Sequence, residues 1–241
     1  MKFVMGVLLS VFLVSCSKTE EISVGKFVFS VKDSIVFIYA GGELEDSMEY
    51  RETKGTGFII TDDGYIATAG HIFTQFLDAY PSIIMVAFSD SEESIAQLVF
   101  LSEKEDIAFL KVDKTLPRMS LVLEPTIPKY SDPVIVIGFY YDMLTFSTGA
   151  FYRYGLSKTE DPKNINYFGE FDPHMVYISY CFLAKGQSGG PMFNTSGKVI
   201  GLNISFSESN INGGKIFSIP ASTIIKVFRE ATDIDILKEM R

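Results

Sequence analysis

The sequence predicts an all-β protein, two antiparallel barrels followed by one C-terminal α-helix, and three observations carry that expectation. Short apolar or alternating runs recur along the chain with turn residues between them. A stretch from about Leu116 to Lys129, carrying Pro117, Pro125 and Pro128, divides those runs into two groups. Helical periodicity emerges only after the last run.

The first group comprises residues 34–40, 55–61, 65–71, 83–89, 94–102 and 107–112. Asp62-Asp63-Gly64 falls between two of them and reads as a hairpin turn, with Gly64 free to take a positive φ. The second group comprises residues 133–139, 148–154, 175–183, 198–205 and 215–220, with Gly213-Gly214 as another turn. The final segment sets Ile224, Ile225, Val227, Phe228 and Ile234 on one helical face. These divisions give barrel one at about 28–115, barrel two at about 130–220 and the helix at about 221–240. No internal repeat stands out.

Composition narrows the class. Hydrophobic residues make up 47% of the chain, with 21 Phe and 12 Tyr, enough for a core and too many for a disordered segment. The net charge of -9 opposes nucleic acid and anionic lipid as partners.

The N-terminus reads as an address. Lys2 is followed by an apolar run from Phe3 to Val14, shorter than the roughly 20 residues a permanent span needs but suited to a signal peptide. Leu13-Val14-Ser15-Cys16 resembles the bacterial lipobox. That resemblance implies a signal peptide over 1–15, a diacylglyceryl thioether on Cys16 and a lipidated tether over 16–27. The lipid would anchor the chain to a membrane, each buried methylene adding about 0.8 kcal/mol. An ordinary secretory signal cut near Ser15 is the alternative. Ser17 differs from the Asp of the inner-membrane retention signal, which favours the outer membrane. With Cys16 consumed, Cys181 is left as a small buried hydrophobe and no disulfide is expected.

Three local patterns carry chemistry. Thr68-Ala69-Gly70-His71 ends an apolar run, Glu105-Asp106 starts an alternating one, and Gly186-Gln187-Ser188-Gly189-Gly190-Pro191 sets a serine in a tight turn. A serine hydroxyl is a poor nucleophile until a base takes its proton, which a histidine can do and then return. A carboxylate fixes the imidazole tautomer. The developing oxyanion needs preorganised N–H donors, and glycines beside the serine let the backbone N–H groups of Gly186 and Ser188 converge. Each pattern alone has an ordinary structural reading. Together, in the order His, Asp, Ser and in a chain with only two histidines, they point to acyl transfer.

These residues resemble the trypsin-like serine proteases, and most closely their bacterial HtrA/Deg branch. Gly55-Thr56-Gly57-Phe58-Ile59-Ile60, Asp63-Gly64-Tyr65-Ile66 and His71 are similar to that branch's strand pair leading to the catalytic histidine. Asp106 to Val112 resembles its Asp-bearing strand, and Gly186 to Pro191 its nucleophile turn. Val199 to Asn203 and Phe217 to Pro220 resemble the strands that follow. The resemblance runs from about Asp33 to Ile225 and implies two six-stranded barrels, a polypeptide substrate and catalysis by His71, Asp106 and Ser188. It also implies a primary pocket lined by Phe182, Leu183, Ile204, Ser205 and Phe206, none of them charged, which suits a small or medium apolar residue.

Departures matter as well. The branch usually carries a peptide-binding PDZ domain, which this sequence does not offer, so activation through one is not expected. Gln187 stands where digestive relatives place an Asp that pairs with a freshly cut N-terminus, so activation of that kind is not expected either.

Other candidates are weaker. His174 reads as a loop residue, and with so few histidines and cysteines no metal or other cofactor is expected. Gly55-Thr56-Gly57 leads into a strand without a following helix, so it is not a phosphate loop. Against the endopeptidase stand a catalytically silent binding lipoprotein of the same fold and an esterase. The esterase lacks its Gly-x-Ser-x-Gly turn and its α/β alternation.

Overall fold

Short apolar or alternating runs form twelve strands in the computed structural model, which describes residues 23–43, 50–76, 83–112, 119–156, 175–207 and 214–239. The expectations for the signal peptide, Cys16, His174 and Gly213 lie outside the described residues. The first barrel contains β1 (Ile35–Glu43), β2 (Tyr50–Ile59), β3 (Tyr65–Ala69), β4 (Ile83–Ala87), β5 (Glu93–Ser102) and β6 (Ile107–Val112). The second contains β7 (Pro133–Tyr140), β8 (Met143–Leu156), β9 (Met175–Tyr180), β10 (Pro191–Phe193), β11 (Val199–Ser207) and β12 (Lys215–Pro220).

Strand order is β1-β2-β3-β6-β5-β4 in one barrel and, read from β7, β7-β8-β9-β12-β11-β10 in the other. The two halves therefore share one topology, although the sequence carries no visible repeat. Closure leaves no unpaired edge on either barrel.

The turns behave as their residues require. Gly64 has φ +97°, and a Cβ there would lie 2.9 Å from the carbonyl oxygen of Val112. The stretch between the barrels is pinned at residues 121–124. Leu121 donates its N–H to Ile59, Glu124 donates to Val199, and Val199 donates to Val122. Leu121 and Leu123 are buried. Strand β10 escapes sequence reading because it is three residues long and begins with proline, which offers no donor.

Two helices bracket the strands. Helix α1 (Val24–Val31) lies partly within the segment expected to be tether, and Phe27 packs edge-on against Phe193 with ring centroids 5.0 Å apart. Residues 24–27 of this helix belong to the stretch 16–27. Its eight residues, rich in Val and Phe, carry too little helical preference to announce a helix. Helix α2 (Ala221–Thr232) buries Ile224, Ile225, Val227 and Phe228, and ends on Asp233 in the left-handed region. A short helix, α3 (Ile236–Glu239), follows. Phe228 meets Tyr65 and Phe109 edge-on at 5.1 and 5.0 Å. Helix α2 therefore follows barrel two in sequence yet also packs against barrel one in space. The continuous burial of Ile107, Ala108, Phe109 and Leu110 follows from having cover on both faces of β6.

Phe228→Ala should cost about 3–5 kcal/mol, read as a lowered urea midpoint. An unchanged midpoint would mean that α2 does not tie the barrels together.

Candidate active site

Gly70-His71-Ile72 makes a single 3-10 turn at the end of β3, which carries His71 out of the sheet. Asp106 precedes β6, the strand hydrogen-bonded to β3, so the ladder itself brings the two residues together. Asp106 has φ +53°, a conformation that asparagine and aspartate tolerate better than other side chains. That turn lets its carbonyl accept the N–H of Gly70 at 2.9 Å while its carboxylate points back at His71.

The carboxylate is held from two directions. His71 Nδ1 lies 2.9 Å from Oδ2 and 3.2 Å from Oδ1, and the backbone N–H of His71 donates to Oδ1 at 2.6 Å. Asp106 is buried and the imidazole only half-buried. Burial alone would lower the pKa of His71. The charge of Asp106 and its hydrogen bond outweigh burial and hold it above the ordinary value of 6.5. With Nδ1 on the carboxylate, Nε2 is the nitrogen left for other chemistry.

The serine turn comes from barrel two. Gly186 has φ +95° and Gly189 φ +86°. A Cβ on Gly189 would sit 2.0 Å from the carbonyl oxygen of Thr56, so no other residue fits. The turn is stitched to both barrels. Thr56 of β2 donates its N–H to the carbonyl of Ser188 at 2.9 Å, and Gly189 donates to the carbonyl of Asn203 in β11 at 2.7 Å. Among the described residues, the N–H groups of Gly186 and Ser188 enter no hydrogen bond. Two free donors one residue apart can receive an oxyanion. The hydroxyl of Ser188 donates to the carbonyl of Ile204 at 3.3 Å, so in this state it is not engaged with His71.

Two further residues support the turn in ways the sequence did not reveal. Gln187 is buried, its Oε1 accepting the N–H of Ala184 at 2.6 Å and its Nε2 donating to Thr145 at 2.7 Å. Asn203, fully buried, accepts from Ser218 at 2.8 Å and donates its backbone N–H to Gly190.

The residues expected to line the pocket have unlike settings. Leu183, Ile204 and Ser205 are buried, Phe206 packs half-buried against the core of barrel two, and Phe182 is 70% exposed. Cys181 is a buried free thiol 2.9 Å from the hydroxyl of Ser147, and burial raises its pKa.

Paired barrels with a His–Asp couple from one and a glycine-flanked serine turn from the other define a class of double-barrel peptidase. The chain belongs to the trypsin-like peptidase domain family, whose model matches residues 55–202. It is 32% identical over 185 residues to a protein of Halomonas elongata described as "probable periplasmic serine endoprotease DegP-like", covering 74% of this chain and 35% of the relative. Proteins of the same description from Rhizobium meliloti and Pseudomonas putida are 32% and 30% identical, covering 70% and 76% of the chain. The chain spans about a third of the length of these relatives. An HtrA-type protease solved with a tripeptide superposes with a TM-score of 0.68 at 24% identity, over 87% of this chain and 63% of that one. That likeness bears on the fold.

The raised pKa of His71 carries two pH signatures. Where His71 acts as a base, kcat/KM should climb with pH through a midpoint above 6.5. Asp106→Asn should move that midpoint down, and an unmoved midpoint would mean that another group sets it. For stability the sign is the reverse. The charged pair contributes fully below pH 6.5 and its contribution fades as pH rises through the folded-state value.

Proposed function

We propose that the chain is a serine endopeptidase acting through an acyl-enzyme at Ser188. The observation that carries this reading is the His71–Asp106 pair beside a serine turn with two unused N–H donors. Family membership and the description of the relatives as serine endoproteases support it.

In the proposed cycle, Ser188 Oγ turns from Ile204 to His71 and attacks the carbonyl carbon of the scissile amide as Nε2 takes its proton. Asp106 holds the tautomer and stabilises the imidazolium. The oxyanion is received by the N–H groups of Gly186 and Ser188. His71 then gives the proton to the leaving nitrogen, the C–N bond breaks, and an ester to Ser188 remains. Water, deprotonated by His71, attacks that ester, the C–O bond to Ser188 breaks, and His71 returns the proton to Oγ as the acid leaves. Leu183, Ile204, Ser205, Phe206 and Phe182 are the proposed surroundings of the substrate side chain. Their lack of charge favours a small or medium apolar residue.

The same proposal places the protein outside the inner membrane, exported under its signal peptide and anchored through lipid on Cys16. The periplasmic description of the relatives supports export. Among the described residues, no helix is long and apolar enough to cross a membrane. A catalytically silent binding protein of this fold is the second reading, favoured by one observation: the hydroxyl of Ser188 rests on Ile204 rather than on His71.

Fluorophosphonate labelling separates the two. Wild type should be labelled, and Ser188→Ala and His71→Ala should not, with all three equally folded. A folded wild type that resists labelling would favour the binding protein. Asp106→Asn should lower kcat by three to four orders of magnitude. Unchanged kinetics would remove Asp106 from the mechanism and make Asp113 the next acid to test.

A further inference from the structure

We propose that Thr56 is a positioning residue that fixes the oxyanion-receiving backbone through its side-chain hydroxyl, an inference that rests on the peptidase reading of the same site. Thr56 lies in β2 of barrel one and is fully buried. Its Oγ1 accepts the N–H of Phe139 from β7 at 2.8 Å and donates to the carbonyl of Gly186 at 2.7 Å. A hydroxyl has one proton. Since Phe139 N–H is a donor, that proton has only the Gly186 carbonyl to go to, so the direction of the bond is dictated.

The peptide plane that this bond holds is the one that matters. The carbonyl of Gly186 shares its plane with the N–H of Gln187, which donates to Ala184 at 3.2 Å. The planes on either side carry the two unused N–H groups, those of Gly186 and Ser188. Pinning the middle plane therefore sets the angle between the donors on its flanks. Gly186, at φ +95°, has no Cβ to resist rotation of that plane, so the restraint must come from outside the turn. Thr56 supplies a second hold with its main chain, whose N–H donates to the carbonyl of Ser188 at 2.9 Å. Its own carbonyl accepts the hydroxyl of Thr68 at 2.7 Å, which keeps the residue in place. One residue of barrel one thus grips the turn on both sides of Gln187. Thr56 is wholly enclosed, so bulk solvent does not compete with its hydroxyl for the Gly186 carbonyl.

The test compares T56S and T56A, which differ by a single oxygen, with T56V as the variant of matching shape. Steady-state kinetics on a peptide substrate and fluorophosphonate labelling rates are normalised to the folded fraction from near-UV circular dichroism. T56A and T56V should lose about 10- to 100-fold in kcat, the size expected when oxyanion donors are misplaced, with KM changed less than about 3-fold. T56S should recover most of the rate. Equal kcat in T56A and T56S, or a loss that disappears on normalisation, would overturn the role of Thr56 and leave the peptidase reading standing. A folded wild type that neither turns over peptide nor labels would remove the peptidase reading, and this inference with it.

Discussion

The turn from Gly186 to Pro191 is hydrogen-bonded to both barrels at once, and the geometry of the site depends on that double attachment. Thr56 of the first barrel holds the carbonyl of Ser188, while Asn203 of the second receives Gly189 and donates to Gly190. Neither barrel alone defines where the hydroxyl of Ser188 stands. The glycines are a consequence of the attachment. A Cβ on Gly190 would come 2.3 Å from the carbonyl oxygen of Ile137, and one on Gly189 closer still to Thr56. Phe37 and Phe139 meet at the barrel junction with centroids 5.7 Å apart. Apolar packing there and the polar turn beside it fix the same relative placement of the barrels.

On the other side of the site, a local cost is offset by charge-assisted bonds. Holding a residue other than glycine in the left-handed region costs roughly 1–2 kcal/mol, and Asp106 is held there at φ +53°. In return its carboxylate receives the backbone N–H and Nδ1 of His71, and bonds to charged groups contribute about 1.5–3 kcal/mol each. The balance favours the strained turn as long as both partners are present. Because β3 and β6 pair through Ala69 and Ile107, the residues flanking His71 and Asp106 are already neighbours in the ladder. The pair therefore needs only a small outward step at Gly70 to form.

Much of this was legible in the sequence. The strands announced themselves by alternation, the helix α2 by its apolar face, and the site by three short patterns in a telling order. What stayed hidden has a physical reason in each case. Strand β10 is too short to show a period, and α1 is written in residues that prefer strands. The shared topology of the barrels lies in the order of strand pairing, which leaves no repeat in the residues. The polar supports of the turn were hidden because Thr56, Gln187 and Asn203 each need at least one partner that is not local in sequence. Thr56 and Gly186 are separated by 130 positions, and no local pattern encodes such a pair. The orientation of the Ser188 hydroxyl was likewise beyond reach, since a torsion leaves no trace in composition.

Gln187 shows how the turn is assembled without an ion pair. A carboxylate in this buried position would require a buried cation, whose desolvation costs several kcal/mol unless the pairing geometry is very good. The neutral amide avoids that cost, because both its ends are met by groups already in the fold, Ala184 and Thr145. Thr145 in turn donates to the carbonyl of Gly138 in β7, so the support runs from the turn into the strand that also carries Phe139. A turn built this way is complete once the barrels have docked. The step that remains is a rotation of Ser188 about its own side-chain torsion. Its bond to Ile204, at 3.3 Å, is longer than the 2.7–2.8 Å usual between hydroxyl and carbonyl oxygens, so it sits at the weak end of the roughly 0.5–1.5 kcal/mol range of neutral bonds. Rebuilding the turn would instead break several backbone bonds to two barrels. On the proposed mechanism the resting and reactive arrangements would differ in the Ser188 rotamer, and releasing the bond to Ile204 costs little beside the charge-assisted bonds that hold His71 and Asp106.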